Sequence, residues 1–350
     1  MRVGVFLAYW PWFSPEEQVE LAVLADELGM DSVWVAEAWG QDAVSVLGLL
    51  AGRTERVALG SGLMQIPARA PAATAMAAVT LDVLSGGRFR LGLGVSGPQV
   101  SEGWYGVPFR RPLARTREYV EIVRKVVARE GPLEHSGREW TLPLGEEQGG
   151  SGLGKPLKLL ARPVQERIPV YLGAIAPKSI RQVGEIADGW LPFMLNPADP
   201  ELVLEPLREG AEAAGRSRDD IDVAPVVPVT VHEDLDQARD QSRPWLAFYL
   251  GAMGAKDKNF YVDLAERYGM GDAAREVQAR MLGGDRAGAA AAVTEELIDA
   301  SCIATTPAGL DDRLAAYEAA GVDTLVAIPG GDRAATVRLL AEATSRETVG

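Results

Sequence analysis

Short apolar runs alternate with stretches of helical periodicity along most of the chain. The runs cover residues 2–9, 32–37, 57–64, 88–95, 168–174, 189–195, 222–231 and 324–329. Several of the following helices open with typical start signals, such as the capping Ser14 followed by Pro15 and two acids. The pattern predicts eight strands, each linked to the next by helical sequence.

Eight strand and helix units with right-handed crossovers close most naturally into a (β/α)8 TIM barrel. We therefore predict an α/β fold and one domain over residues 1–350, with the active site at the carboxyl ends of the strands. A doubly wound sheet is the alternative architecture.

Two stretches interrupt the repeat. Residues 131–167 contain a Gly/Ser-rich run and few periodic signals, so they are predicted to be an insertion covering the barrel mouth, with a surface loop as the alternative. Residues 233–300 are a second, helical insertion. Its aromatic residues Trp245, Phe248 and Tyr249 are expected either in the core or along a substrate pocket.

Composition narrows the classes of function. The 350-residue chain is 47% hydrophobic and carries a formal net charge of −14, which suits a globular protein and disfavours nucleic-acid binding. Cys302 is the single cysteine, and no signal or membrane segment is recognisable, so a cytoplasmic enzyme without a membrane role is expected. The two histidines lie far apart in sequence, and no metal site is predicted.

The fourth predicted strand ends in glycines and is followed by an aromatic pair. Glycines at 92, 94 and 97 would let a phosphate or a flat ring approach the backbone, and Trp104 with Tyr105 could wall that ring. This segment resembles the luciferase-like monooxygenase superfamily, and within it the branch that uses the deazaflavin coenzyme F420. The resemblance extends to Leu59–Met64, followed by Pro67, Arg69 and Pro71, and to Asp188-Gly189-Trp190.

The resemblance implies a cofactor site at several strand ends. The third strand would carry a non-prolyl cis peptide at Gly62-Leu63 behind the deazaflavin ring. The loop after the fifth strand would hold the phosphodiester at a helix N-terminus. The implied cofactor-binding residues are Gly62, Leu63, Gly94, Val95, Ser96, Gly97, Gly173, Ala174, Ile175 and Ala176. Arg69, Arg110 and Arg111 are candidates for the coenzyme's acidic tail, with surface solvation as the alternative.

The second strand ends in Glu37-Ala38-Trp39. F420-dependent sugar-phosphate and alcohol dehydrogenases carry an acid–histidine pair here, and alanine cannot act as that base. Reduction by F420H2 therefore becomes the expected direction. The catalytic candidates are Glu37, Trp39 and Glu102, with Glu37 serving as proton donor, as a ring ligand or as a cap of a neighbouring loop. Aromatic residues near strand ends, namely Tyr9, Trp10, Trp104 and Tyr105, are expected to line the substrate pocket.

These residues predict an F420H2-dependent reductase acting on an activated C=C or C=N bond of a small molecule or modified peptide, as in natural-product tailoring. An FMN-dependent luciferase-like monooxygenase and a deazaflavin-binding protein without turnover remain alternatives. A homodimer is also expected, paired through residues 41–53 and 71–84, because the resemblance implies pairing through the helices after the second and third strands.

Overall fold

The computed structural model describes residues 1–10, 12–254 and 256–347. Its strands are β1 (Arg2–Leu7), β2 (Ser32–Val35), β3 (Ala58–Ser61), β4 (Met64–Gln65), β5 (Phe89–Gly94), β6 (His135–Ser136), β7 (Thr141–Leu142), β8 (Val170–Leu172), β9 (Gly189–Trp190), β10 (Asp222–Val223), β11 (Val226–Val231), β12 (Ile303–Thr305) and β13 (Thr324–Pro329).

The helices alternate with these strands. They are α1 (Pro15–Glu27), α2 (Ala43–Ala51), α3 (Pro71–Ser85), α4 (Pro98–Gly103), α5 (Pro112–Ala128), α6 (Pro177–Ile186), α7 (Glu201–Ala213), α8 (Leu235–Ala252), α9 (Phe260–Arg267), α10 (Gly271–Leu282), α11 (Arg286–Ala291), α12 (Glu295–Ser301), α13 (Leu310–Ala319) and α14 (Arg333–Glu347). At the start of α1, Ser14 accepts a hydrogen bond from the amide of Glu17, as its sequence predicts. None of the described helices combines the length and apolar character needed to cross a membrane.

The main sheet is parallel and curls into a barrel. Its strand order is β10-β9-β8-β5-β3-β2-β1-β13-β11-β12. The ring closes because β10 pairs with β9, and the same stretch of chain continues as β11, which pairs with β13. All eight predicted strands are present, and the predicted TIM-barrel fold is confirmed.

Two predicted strands are shorter or broken. The sixth was expected over residues 189–195, but regular pairing stops at Trp190, beyond which only Phe193 makes an isolated bridge, to Val226. Pro192 has no amide to donate, and Met194 has a left-handed φ of 63°, so neither supports a regular ladder. The seventh is divided into β10 and β11 around Pro225. Strand β12, which pairs with the end of β11, was not predicted.

The first insertion packs against two of the outer helices. The Glu118 carboxylate on α5 accepts hydrogen bonds from the amides of residues 138–140. Further along, the amide of Val164 donates to Asp82 near the end of α3. These contacts hold the segment against the outer helices.

The second insertion does reach the mouth. Helix α8 places Trp245, Phe248 and Tyr249 against aromatic residues at the ends of β1 and β9. Phe248 lies 4.7 Å from Trp12, and Tyr249 stacks on Phe193 at 4.1 Å between ring centroids. The aromatic residues of α8 thus form the side of the mouth next to β1 and β9.

Gly92 on β5 is required by the close approach of β3. A Cβ atom at this position would lie 1.9 Å from the backbone oxygen of Ser61, which cannot rotate away. We expect Gly92→Ala to lower the free energy of unfolding by about 1–3 kcal/mol, as overpacking does. Urea denaturation of the purified variant measures this change.

Gly131→Ala is the matched control, since nothing lies within 4 Å of its Cβ position. Restricting the unfolded chain should leave its stability equal or raised by roughly 0.4–1 kcal/mol. Equal stability of both variants would contradict the packing of β3 against β5.

Candidate active site

The carboxyl end of the barrel brings together most of the residues selected from the sequence. Tyr9 follows β1, Glu37 follows β2, and Gly62 with Leu63 follows β3. The glycine-rich loop, residues 94–97, begins at the end of β5, and Gly173–Ala176 follow β8. Residues separated by more than a hundred positions therefore share one face of the molecule, where TIM-barrel enzymes place their active sites.

Strand β3 is distorted where the sequence predicted it, because the Gly62-Leu63 peptide bond is cis. The Ser61 hydroxyl compensates beside the distortion: it accepts from the amide of Gly92 and donates to the carbonyl of the same residue, both at 2.9 Å. The amide of Gly62 still bonds to the carbonyl of Val35 at 2.8 Å. Side-chain and neighbouring-strand bonds thus satisfy the backbone around the bulge.

The side chain of Leu63 occupies the space that glycines leave on two neighbouring strands. A Cβ at Gly94 would lie 3.1 Å from Leu63 Cδ1, and one at Gly173 would lie 2.2 Å from the same atom. The bare backbones of Gly92 and Gly94 were expected to receive a ligand. In the structure, Ser61 packs against Gly92 and Leu63 packs against Gly94. The bulge after β3 therefore requires glycine at both positions, because a Cβ atom would collide with it.

Ser96, in the glycine-rich loop, combines a strained backbone with a hydroxyl group that makes no hydrogen bond. It has a φ of 59°, a left-handed conformation that costs a residue with a Cβ about 1–2 kcal/mol. Its Oγ atom is buried and has no hydrogen-bond partner among the described residues. Strained residues and orphaned polar atoms concentrate at ligand sites, so this position fits a bound cofactor.

The loop after β8 leads directly into α6. Ala176 is the N-cap residue, and no described side chain caps the helix there. The carbonyl of Ala174 accepts a hydrogen bond from Trp190 Nε1 at 3.1 Å, and this bond holds the loop in place. A narrow, mostly apolar crevice lies beside it, lined in part by Ala174, Ile175 and Met194. Amides at an uncapped helix start suit an anionic group.

Glu37 is a buried carboxylate engaged on both oxygens. Its Oε1 and Oε2 atoms accept hydrogen bonds from Arg69 at 2.6 and 3.0 Å. The amides of Gln65 and Ala43 donate to the same two oxygens, at 3.3 and 3.1 Å. Of the three roles left open by the sequence, the contacts support the cap of neighbouring loops, since Arg69 and two backbone amides occupy both carboxylate oxygens.

Arg69 also pairs with Asp42, the N-cap residue of α2. Burial acts to raise the pKa of Asp42, but hydrogen bonds from Ser45 and the charge of Arg69 outweigh it and hold that pKa below its usual range. Two carboxylates therefore neutralise Arg69. It is not available for the coenzyme's acidic tail, which was one of its two expected roles.

The remaining candidate residues near the glycine-rich loop differ in how deeply they are buried. Tyr105 is half-buried and donates to the Gln65 side chain at 2.7 Å, which links it to the loop held by Glu37. Trp104 and Trp39 are 65% and 47% exposed. Glu102 is exposed and accepts a hydrogen bond from the amide of Phe109 at 2.9 Å, so its contact is to its own loop.

Tyr9 lies within the aromatic wall of the mouth. Its hydroxyl is 3.2 Å from that of Tyr249, and burial, partly offset by this bond, raises the pKa of Tyr9. Trp10, by contrast, donates through Nε1 to Gln18 on α1 at 3.1 Å and is turned toward that helix. Sequence reasoning overlooked Phe193, which stacks on Tyr249, because Phe193 was assigned to the interior of a regular strand.

Both histidines make contacts close to their own segments of the chain. Nδ1 of His232 accepts from the amide of Asp234 at 3.0 Å, in a turn before α8. His135 is buried in the first insertion beside Glu118. Within the described part of the chain, no three His, Cys, Asp or Glu residues are arranged to hold a metal ion.

The barrel and its distorted third strand define a TIM-barrel protein whose candidate ligand site lies at the carboxyl ends of the strands. The family model for luciferase-like monooxygenases matches residues 1–324. The chain belongs to the luciferase-like monooxygenase family, as its sequence motifs indicated.

Individual relatives cover nearly the whole chain. It is 43% identical, over 94% of its length and 95% of the relative's, to the "Putative coenzyme F420-dependent oxidoreductase Rv3520c" of Mycobacterium tuberculosis. It is 30% identical to the 5,10-methylenetetrahydromethanopterin reductase of Archaeoglobus fulgidus, with 97% of each chain covered. The solved structure of the coenzyme F420-dependent tetrahydromethanopterin reductase of Methanopyrus kandleri superposes with a TM-score of 0.83 at 28% identity, covering 99% of both chains.

The ion pair between Glu37 and Arg69 should dominate the stability of the mouth. Arg69→Met leaves a carboxylate that is 3% exposed without its cation, and we expect a loss of about 3–5 kcal/mol in the free energy of unfolding. Chemical denaturation gives the value. Arg117→Met is the control, since its pair with Glu185 is on the surface and should contribute about 1 kcal/mol or less.

The double variant Glu37→Gln with Arg69→Met separates the charge effect from packing. Once the carboxylate is neutral, removing Arg69 should be less damaging than in the single variant. If the two substitutions were simply additive, the ion pair would not be the stabilising element.

Proposed function

We propose that this protein is an F420H2-dependent reductase that transfers hydride to an activated C=C or C=N bond of a small molecule or modified peptide, in a natural-product tailoring step. Three kinds of support converge on it: the family, the reductases among the relatives, and the chemistry of the barrel mouth. The relatives named above as F420-dependent make the deazaflavin the expected coenzyme.

The end of β2 carries most of the argument about direction. Ala38 stands where alcohol-oxidising relatives have their histidine, and the adjacent carboxylate of Glu37 is saturated by Arg69 and two amides. Abstraction of a hydroxyl proton needs a free base within hydrogen-bond reach, and this end of the strand does not provide one. Reduction requires only a proton donor for the product, which a hydroxyl or water can supply.

The chain offers a coherent set of contacts for the coenzyme. When bound in its reduced form, the deazaflavin supplies a hydride. Leu63, packed against Gly94 on β5 and Gly173 after β8, would support the ring from behind. Ser96 would donate or accept one hydrogen bond through its unpartnered Oγ, and the amides of Ala174–Ala176 would face the phosphodiester.

The opposite side of the mouth would orient the substrate. Tyr9 and Tyr249 present a pair of hydroxyls within an apolar wall, and burial raises both of their pKa values. Both groups therefore stay protonated at neutral pH and can donate hydrogen bonds. Such a wall excludes water from the reacting bond and suits an uncharged or aromatic substrate.

Parallel titrations with F420 and with FMN at identical salt test the proposal. We expect preferential binding of F420, followed by oxidation of F420H2 in the presence of electron-poor alkenes or imines. Preference for FMN would favour the monooxygenase alternative. Tight F420 binding without turnover of any such substrate would favour a deazaflavin-binding protein.

Ser96 gives an independent check on the coenzyme site. Ser96→Gly relieves the left-handed backbone and removes a buried orphan hydroxyl, so it should raise the stability of the empty protein by about 1 kcal/mol. The same variant should bind F420 less tightly because one hydrogen bond is lost. Thermal unfolding and fluorescence titration measure the two effects.

Arg129→Gly serves as the control for Ser96, because Arg129 has a φ of 52° at the end of α5, away from the mouth. It also loses its bond to the Leu159 carbonyl, so only coenzyme affinity is compared. Equal loss of affinity in both variants would remove Ser96 from the site.

We also propose that the protein is a homodimer. Helices α2 and α3 contain one charged residue, the buried Asp82, although the chain carries a net charge of −14. The outer face of α3 exposes Met76 and Leu84 at 57% each, together with Val83, and α2 adds the exposed Leu49. An uncharged apolar face of this kind fits a second copy of the same face, related by a two-fold axis.

Replacing the two most exposed of these residues should separate the protomers. We expect the double variant Met76→Glu with Leu84→Glu to be monomeric by analytical ultracentrifugation, since like charges would face one another across the axis. Leu235→Glu, which alters an exposed leucine on α8, is the control and should leave the association unchanged. A wild-type monomer at micromolar concentration would refute the proposed dimer.

A further inference from the structure

Two tyrosine hydroxyls meet within the aromatic wall of the barrel mouth. Tyr9 comes from the loop after β1 and Tyr249 from α8, and their oxygens lie 3.2 Å apart in a part-buried contact. A bond between two hydroxyls uses one of their two protons, because one group donates and the other accepts. Among the described residues, neither hydroxyl has a second hydrogen-bond partner. The pair therefore keeps one O–H group that can donate to a ligand.

A second unused donor belongs to the same wall. The indole ring of Trp245 lies 5.4 Å from the ring of Tyr249 and 5.4 Å from that of Trp12, measured between centroids. Its Nε1 atom is buried and has no hydrogen-bond partner among the described residues. Leaving a buried donor unpaired costs about 1–3 kcal/mol, so a group of this kind calls for an explanation. A ligand that brings an acceptor atom into the wall supplies one.

The surroundings of these donors are aromatic and uncharged. Phe193 stacks on Tyr249 at 4.1 Å, and Tyr261 packs edge-on against both rings, at 5.7 and 5.1 Å between centroids. Burial raises the pKa of Tyr9, Tyr249 and Tyr261, so all three hydroxyls stay protonated at neutral pH. Neutral donors between aromatic rings suit a flat ligand with a neutral acceptor, such as a carbonyl oxygen.

The segment that carries Tyr9 packs against the distorted end of β3. Phe6 lies on β1, three residues before Tyr9, and a Cβ atom at Gly62 would be 2.5 Å from the Cε2 atom of Phe6. Leu63, the neighbour of Gly62, is the residue proposed to support the deazaflavin ring. The hydroxyl pair therefore belongs to a stretch of chain that borders the proposed ring site.

An imine is a poorer match for these groups. Hydride addition to a C=N bond is assisted by a proton on nitrogen, which makes the substrate a cation, and a buried cation needs a counter-charge. The carboxylate at the end of β2 belongs to Glu37, and Arg69 occupies both of its oxygens. A carbonyl oxygen needs only neutral donors. The tyrosines thus favour a C=C bond that is conjugated to a carbonyl group.

We propose that the substrate is an α,β-unsaturated carbonyl compound with a flat, uncharged body, and that the hydroxyl pair of Tyr9 and Tyr249 binds its carbonyl oxygen. The inference rests on the proposed function, since it names the substrate class of the same site. The β-carbon gains the hydride of the reduced deazaflavin, the π electrons of the C=C bond shift toward the carbonyl, and the carbonyl oxygen takes a proton from the pair. Water then delivers a proton to the α-carbon while the enol O–H proton returns to the tyrosine, which leaves the saturated carbonyl product and the oxidised deazaflavin.

The test compares two neutral probes, benzylideneacetone and 1-phenylpropene, which lacks the carbonyl group. Infrared difference spectroscopy follows the C=O band of the bound enone, because a hydrogen bond lowers its frequency. Both probes are titrated into the protein alone and into the protein saturated with F420. The variant is Tyr9→Phe with Tyr249→Phe, which keeps both rings. Tyr317→Phe is the matched control, since it removes a buried hydroxyl without a partner from α13.

We expect the wild-type protein to bind benzylideneacetone with its C=O band shifted to lower frequency. The double variant should lose the shift and bind the enone about tenfold more weakly, while its affinity for 1-phenylpropene stays the same. Tyr317→Phe should behave as the wild type. If the double variant does not fold, each single variant should show a reduced shift. A wild-type protein that leaves the band unshifted, or a shift that survives loss of both hydroxyls, would overturn the inference.

Failure of the proposed function gives a different result. A protein that does not bind F420 but shifts the C=O band through the two tyrosines loses the reductase assignment and keeps the carbonyl site. A protein that oxidises F420H2 with imines and leaves the C=O band of the enone unshifted keeps the reductase assignment and refutes the substrate class. The two proposals therefore fail separately.

Discussion

The ion pair between Glu37 and Arg69 ties together the elements that form the barrel mouth. Through it, the end of β2, the start of α2, strand β4 and the loop before α3 meet at one buried point. The Arg69 carbonyl also accepts from Tyr119 on α5 at 3.0 Å. A buried ion pair of this kind costs desolvation, and hydrogen bonds to every oxygen offset that cost. The ion pair between Glu37 and Arg69 therefore fixes the positions of the loops around the candidate site.

Packing around Leu63 is the second constraint, and it explains why glycine occurs on β5 and directly after β8. Ser61 and Leu63 together fill the volume that side chains at Gly92, Gly94 and Gly173 would need. The distorted strand therefore fits only against neighbours with no Cβ at these points. On one side of the mouth, Leu63 packs against the glycines of the neighbouring strands. On the other side, Tyr249 of α8 stacks on Phe193.

Much of this arrangement could be predicted from the sequence, because strand ends in a parallel barrel share one face. The eight strands, the cis peptide at Gly62 and the grouping of the strand-end residues follow from local patterns and family motifs. Side-chain pairing did not follow. The sequence around Glu37 gives no sign that its carboxylate pairs with Arg69, which lies 32 residues later in the chain. The course of the first insertion likewise depends on Glu118, whose carboxylate gathers three amides from another segment.

Charge decides how an acidic protein can hold an anionic ligand. With a net charge of −14, the long-range field disfavours anions, so recognition must come from groups at short range whose charge is not cancelled. Carboxylates cancel the charge of two arginines near the mouth: Glu37 and Asp42 pair with Arg69, and Glu139 pairs with Arg111. The uncapped start of α6 is a group of this kind, since no described side chain caps the backbone amides there.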